Sequence, residues 1–264
     1  MSASELSDGD LSRLLEVAVR AARAGAAELS QRAGLVRTVE YKSSGTDPVS
    51  DADRAAEVAV VAVLSSERPA DGLLGEEGAA RVGSTGLRWV VDPLDGTVNY
   101  LYGIPQSAVS VACERLAGAE WESIVGCVLD VARGEVFTAV VGGGARLGGA
   151  TLRVNDPVPL SVALISTGFS YAAASRARQA AVAAELLPKA RDIRRFGSCA
   201  LDLCWLAAGR CDGYYEDELS RWDWAAGALI AAESGAVLSS LGGGLVAAGP
   251  WLHPELSAAV SSLA

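Results

Sequence analysis

The sequence predicts a mixed α/β protein of the α+β kind, folded as one compact unit with two intimately packed halves, roughly 1–150 and 151–264. Three observations carry that expectation. Apolar residues recur at three- and four-residue steps in some segments and in short unbroken runs in others, so helices and strands both form. Half of the 264 residues are hydrophobic, enough for a sizeable core. No fixed-period repeat, low-complexity tract or long linker divides the chain.

The elements follow in order. Leu11, Leu14, Leu15, Ala18, Ala22, Gly25 and Leu29 mark a first helix after the caps Ser7 and Asp8. The turn-rich stretch from Lys42 to Pro48 leads to a second helix that opens on Ser50-Asp51-Ala52-Asp53, a capping-box pattern, and runs to about Ser66. Strands are expected at Trp89–Val91, Ala108–Ala112, Ile124–Leu129 and Val136–Val141, punctuated by glycine turns. The second half alternates: strand Ala163–Thr167, helix Ser175–Leu187, strand Ile193–Phe196, helix Ala200–Ala208. Extended Gly213–Tyr215, helix Asp223–Glu233 and the extended runs Ala236–Leu238 and Leu245–Ala248 complete it.

Composition narrows the function. With 22 basic against 32 acidic residues and a net charge of −10, the chain is repelled by nucleic-acid backbones and anionic membrane surfaces. It has one histidine, His253, so multi-histidine zinc and iron sites cannot be built. Five cysteines without C-x-x-C spacing read as reduced, buried thiols. The polar Met1–Asp10 segment and the lack of an apolar run of ~18 residues argue against a leader and a membrane span, so a cytoplasmic location is expected.

Acidic residues concentrate in two places. Gly75-Glu76-Glu77-Gly78 sets two carboxylates in a turn after a short apolar run, which alone reads as a solvated acidic turn. Val90-Val91-Asp92-Pro93-Leu94-Asp95-Gly96-Thr97 then ends a buried strand with two more, where α/β proteins place ligand chemistry. Pro93 and Gly96 tighten the bend so that Asp92 and Asp95 can converge, and the Leu94 carbonyl adds a hard oxygen donor. Gly96 and Thr97 present backbone N–H groups suited to a phosphate. In a chain without histidine chemistry, oxygen-only ligation favours magnesium, manganese or calcium.

These residues carry a family resemblance. Trp89-Val90-Val91-Asp92-Pro93-Leu94-Asp95-Gly96-Thr97-Val98-Asn99-Tyr100 resembles the first signature of the inositol monophosphatase family, and Trp222-Asp223-Trp224-Ala225-Ala226-Gly227 through Gly235 resembles the second. Gly75-Glu76-Glu77 and the segment Asp47 to Asp53 match two further elements in the family's order. Arg194 to Ser198, Asp202-Leu203-Cys204 and Tyr214-Tyr215-Glu216 look most like bacterial inositol-1-monophosphatases.

The resemblance covers Lys42 to Gly235 and implies a single sugar-phosphatase domain over 1–264, layered α-β-α-β-α. It implies a phosphoric monoester hydrolase that cleaves myo-inositol 1-phosphate with Mg²⁺ as cofactor. One metal would be held by Glu76, Asp92 and the Leu94 carbonyl, and a second by Asp92, Asp95 and Asp223. Glu77 and Thr97 would orient the attacking water, with Asp53 accepting the Thr97 proton. Asp95, Gly96, Thr97, Gly197, Ser198, Cys199, Glu216 and Asp223 would contact substrate, and Lys42 would support the metals. A small-molecule substrate, no nucleic acid or membrane partner, Li⁺ sensitivity and a homodimer complete the expectation.

Alternatives stay open at this point. Relatives act on histidinol phosphate, fructose 1,6-bisphosphate or adenosine 3′,5′-bisphosphate, and a non-catalytic binding protein on the same fold is the remaining class. Cys204 and Arg210 have cysteine-phosphatase spacing, but Trp205 to Gly209 reads as a buried helix end. Asp51 reads as solvated, His253 as a surface residue, and the tryptophans Trp121, Trp205, Trp222, Trp224 and Trp251 as packing residues.

Overall fold

The computed structural model describes residues 6–35, 39–41 and 48–261. Helix α1 (Asp8–Arg32) starts on a complete capping box between Ser7 and Asp10 and buries Leu14, Val17, Ala18, Ala21 and Leu29 along one stripe. Strands β1 (Val39–Tyr41) and β2 (Pro48–Ser50) pair antiparallel. Helix α2 (Asp51–Glu67) opens on a second capping box, between Ser50 and Asp53.

A large sheet follows from β3 (Gly72–Gly75), β4 (Ala80–Arg81), β5 (Leu87–Asp95), β6 (Ala108–Ala117), β7 (Glu120–Asp130), β8 (Val136–Val140), β9 (Gly144–Leu147) and β10 (Ala150–Thr151). Its spatial order is β10-β9-β8-β7-β6-β5-β3-β4, antiparallel except where β3 joins β5. The short helix α3 (Thr97–Leu101) leaves the end of β5.

A smaller sheet is built from β11 (Leu164–Thr167), β12 (Asp192–Arg194), β13 (Gly213–Glu216), β14 (Val237–Leu241) and β15 (Gly244–Ala248), in the order β12-β11-β13-β15-β14. Helices α4 (Ala173–Leu186), α5 (Cys199–Ala207), α6 (Arg221–Glu233) and α7 (His253–Ser261) interleave.

The period-two alternation of the strands decides the layering. Trp89 and Val91 of β5 face α1 and α2, where Ala21, Leu29, Val60 and Leu64 pack. Val90 between them faces α5 and α6, meeting Ala200, Leu201, Ala226 and Ile230. The far sides of α5 and α6, through Leu203, Leu206 and Ala231, cover Tyr214 and Ala247 of the small sheet. Tyr215 and Val246, on its other face, are closed by Leu186 of α4 and by Leu256 and Val260 of α7. The result is five layers, α-β-α-β-α, as the resemblance implies.

One polar bolt crosses the apolar layers. The fully buried Glu114 of β6 accepts from Arg88 of β5 at 2.7 Å and from Arg221 at the start of α6 at 2.5 Å. Removing one partner of such a buried pair typically costs about 3–5 kcal/mol. It fixes the N-terminus of α6, and with it Asp223, against the large sheet.

Sequence and structure part company at a few positions. Asp51 is half-buried with its Oδ1 shielded from solvent, and His253 is half-buried with Nε2 3.0 Å from the Ser239 hydroxyl. Trp251 is 66% exposed, so it packs on little within this chain. The cysteines agree with expectation: all five are buried, and Cys204 lies within α5, inside the core between the sheets. Among the described residues no helix is long and apolar enough to cross a membrane.

Candidate active site

The site lies where β5 runs out. In a regular strand, residues three apart project to opposite faces. The β5–β6 register slips between Asp92, opposite Ser110, and Asp95, opposite Ala108, which inserts one extra residue on β5. That bulge lets Asp92 and Asp95 act on one region, where the charge of Asp95 helps to raise the Asp92 pKa.

The chain then turns through Gly96, whose φ of +91° lies in the left-handed region. A Cβ there would sit 2.7 Å from the Gln106 carbonyl oxygen and 3.1 Å from that of Gly197. Gly96→Ala is therefore expected to lower stability, about 1–2 kcal/mol from the backbone alone, with steric repulsion added. An unchanged midpoint in urea unfolding would refute this.

Thr97, the first residue of α3, is buried and donates its hydroxyl toward Asp53 Oδ1 at 2.9 Å, with the Leu94 carbonyl at 3.0 Å as the competing acceptor. Asp53 arrives from the first turn of α2, where its Oδ2 also accepts the Ser50 amide at 2.8 Å and the Ser50 hydroxyl at 2.5 Å. Helix capping and contact with Thr97 are thus served by different oxygens of one carboxylate. Burial raises the Asp53 pKa, against the pull of those hydrogen bonds.

Glu76 and Glu77 follow β3 in a half-buried turn, not a solvated one. A residue the motifs did not single out shapes that turn: the buried Glu57 of α2 accepts the amides of Glu77 at 3.0 Å and Ala79 at 3.3 Å. Asp223 comes from the first turn of α6, its Oδ2 accepting the Ser220 amide at 2.6 Å. Asp95 Oδ2 accepts the Ser198 hydroxyl at 2.6 Å and the Ala200 amide at 2.7 Å, so the N-terminus of α5 is docked on it. Asn99, buried in α3, donates to the carbonyls of Gln106 at 2.9 Å and Phe196 at 2.7 Å, which holds the segment before Gly197 against α3.

The charges oppose one another. Burial pushes Asp92 well above the ordinary carboxylate range, and Glu76, Asp95 and Asp223 push it further. Burial raises Asp95 to about 6 even though Ser198 and Ala200 stabilise its anion. Asp223 is raised by burial and then by Asp95 and Glu76. Among the described residues, no three acid, histidine or cysteine side chains form a finished metal cage. Glu76, Asp95 and Asp223 instead crowd the buried Asp92 and disfavour its ionisation, which is the electrostatic condition that a hard cation relieves.

These acids open onto a cavity of about 410 Å³, lined by Glu76, Asp95, Phe169, Glu216, Trp222 and Asp223, with Gly96, Gly197, Ser198 and Cys199 also on its wall. Glu216 is raised to about 7 by burial, with the Tyr214 hydroxyl and Arg195 acting in the opposite direction. The structure therefore brings Glu76, Asp95, Gly96, Gly197, Ser198, Cys199, Glu216 and Asp223 to one cavity, with Asp92, Leu94, Thr97, Asp53 and the Glu77 turn behind it. Lys42 lies outside the described residues.

A five-layer α-β-α-β-α fold with a carboxylate-lined cavity between its sheets defines the class of protein, and comparison with known proteins defines it further. Residues 10–263 match the inositol monophosphatase family. An inositol-1-monophosphatase of Mycobacterium leprae is 44% identical over 84% of this chain and 81% of its own. A protein called inositol-1-monophosphatase SuhB, from Mycobacterium tuberculosis, is 45% identical over 92% and 88%. A protein called Nus factor SuhB, from Pasteurella multocida, is 38% identical over 92% and 94%. Among solved structures, extragenic suppressor protein suhB from Bartonella henselae superposes with a TM-score of 0.87 at 33% identity, covering 94% of this chain and 98% of that one. This chain belongs to the inositol monophosphatase family and is a phosphatase.

Proposed function

We propose that this phosphatase hydrolyses myo-inositol 1-phosphate and related inositol monophosphates to the free polyol and phosphate, with Mg²⁺ as its cofactor. The observation that carries the reading is the cavity lined by the carboxylates Glu76, Asp95, Asp223 and Glu216, with the buried Asp92, whose ionisation Glu76, Asp95 and Asp223 oppose, behind it. The donors are all oxygen, which suits Mg²⁺. Glu76, Asp92 and the Leu94 carbonyl would hold one ion, and Asp92, Asp95 and Asp223 a second. Bound Mg²⁺ would offset phosphate charge and lower the pKa of water.

The protein's own groups do the rest. The Thr97 hydroxyl has one proton and two acceptors within reach. With the Leu94 carbonyl engaged elsewhere, that proton goes to Asp53, leaving Thr97 Oγ1 to accept from a water. Glu77, held in place through its backbone by Glu57, would take the water's second hydrogen bond. Gly96 and Thr97 would meet the phosphate with backbone N–H groups, and Gly197, Ser198, Cys199 and Glu216 would face the polyol. We further place the protein in the cytoplasm as a homodimer acting on a small molecule, its −10 charge opposing nucleic acid.

The test is phosphate release by the purified protein from inositol 1-phosphate, histidinol phosphate, fructose 1,6-bisphosphate and adenosine 3′,5′-bisphosphate. Inositol 1-phosphate should give the highest kcat/KM, activity should vanish on chelation, and Li⁺ should inhibit. Full activity after exhaustive chelation would sink the cofactor assignment, and a faster reaction on another of the four would sink the substrate assignment.

A further inference from the structure

We propose that Tyr214 and Gly168 are positioning residues that together set the Glu216 carboxylate in the one place where it can accept hydroxyl groups of the substrate. The inference rests on the reading of Glu216 as that acceptor, and extends it to how the acceptor is held.

Tyr214 and Glu216 lie two apart on β13, so both side chains leave the same face of the small sheet, toward α5 and α6. The Tyr214 ring is completely buried and its hydroxyl donates to Glu216 Oε2 at 2.7 Å. The same hydroxyl lies 3.0 Å from the Cys199 sulfur. A phenol has one proton, and a carboxylate is a stronger acceptor than a thiol that burial has raised well above its usual range. Tyr214 is therefore committed to Glu216, and its packed ring makes the donor immobile.

Gly168 bounds the carboxylate from another side. It follows β11 directly, and β11 runs parallel to β13 with Thr167 opposite Tyr215, so Gly168 stands next to Glu216. A Cβ on Gly168 would lie 2.0 Å from both carboxylate oxygens of Glu216. No carbon can occupy that space, so any other residue at 168 displaces the carboxylate from its present seat. Both residues also border on the cavity wall: Gly168 lines it, and Tyr214 sits behind Cys199, which does.

The experiment compares kcat/KM for inositol 1-phosphate and for an aryl phosphate, which offers no hydroxyls, at saturating Mg²⁺. Glu216→Gln, Tyr214→Phe, Gly168→Ala and the Tyr214→Phe/Glu216→Gln double variant are measured beside wild type. Glu216→Gln should lower the inositol-to-aryl ratio about ten- to a hundredfold. Tyr214→Phe should lower it about tenfold, mainly through KM, and Gly168→Ala by at least as much. In the Glu216→Gln background, Tyr214→Phe should change the ratio by less than about twofold, because a residue acting through Glu216 has nothing left to position. An equal loss on both substrates in Glu216→Gln would overturn the acceptor reading itself. A selective loss in Glu216→Gln with an unchanged ratio in Tyr214→Phe, or with additive effects in the double variant, would overturn this inference alone. If Gly168→Ala does not fold, the double-variant cycle still decides for Tyr214, and Gly168→Ala/Glu216→Ala, which removes the carboxylate that the new Cβ would strike, should fold; its failure to fold would overturn the role of Gly168.

Discussion

Asp95→Asn is expected to lower kcat/KM for inositol 1-phosphate at least a thousandfold, about 4 kcal/mol of transition-state stabilisation, while the fold survives. The fold survives because the hydrogen bonds from Ser198 at 2.6 Å and from the Ala200 amide at 2.7 Å fall on one oxygen of Asp95. An asparagine can put its carbonyl oxygen there and keep them. Its NH₂ group then takes the position that a cation would approach, replacing a negative donor with a positive edge. The substitution also removes one of the charges that repel Asp92 and Asp223, so the metal-free variant should be at least as stable as wild type. Activity and thermal unfolding without metal give independent readouts. Wild-type turnover, or a metal-free variant clearly less stable than wild type, would show that Asp95 has a structural and not a chemical role.

The two N-terminal helices were legible because their signals are local, whereas the five-layer order came only with the family resemblance. α1 and α2 declare themselves through apolar periodicity and capping boxes, and the capping box of α2 places Asp53 within three residues of Ser50. The Asp92–Asp95 pair was legible as a pair, but not the means of its convergence. The bulge depends on how β5 registers with β6, a strand that begins thirteen residues later, and no local pattern encodes that slip. The expected elements end at Ala248 and miss α7, although Pro254 stands in its first turn, where a missing N–H costs little. Strands β4 and β10 have two residues each, too short for any period to appear. The supporting residues were hidden for a related reason. Glu57 could have been noticed as a carboxylate on the buried stripe of an amphipathic helix, with Ala56 and Val60 beside it. Gly168 carries no such mark, and the role of Asn99 depends on Phe196, 97 residues away.

The second large effect is a pH-dependent stabilisation by Mg²⁺. Asp92, Asp95 and Asp223 all have pKa values raised in the folded protein, Asp95 to about 6 from 3.8. A carboxyl with a raised folded-state pKa binds more protons folded than unfolded at intermediate pH. The slope of stability with pH is then negative, and the metal-free protein loses stability as pH rises from about 4 through 6 and beyond. For Asp95 alone the loss is roughly 3 kcal/mol once pH exceeds both values. Acids with lowered pKa values, such as the exposed Glu67 beside Arg20 and the half-buried Glu135 beside Arg210, act in the opposite sense, but only on acidification toward and below about 4. They are silent between pH 5 and 8. Mg²⁺ binds the ionised carboxylates and competes with protons for them, so its benefit grows with pH. At a hundred times its dissociation constant a ligand adds about 2.7 kcal/mol, which for a chain of this size is on the order of 5–10 °C. Thermal unfolding at pH 5 and pH 8, with chelator or with saturating Mg²⁺, should therefore show a gap of a few degrees or less at pH 5 and a much wider one at pH 8. In Asp95→Asn that widening should be largely lost. A gap of the same size at both pH values, or a metal-free midpoint that rises from pH 5 to pH 8, would mean that these carboxylates do not form the cation site.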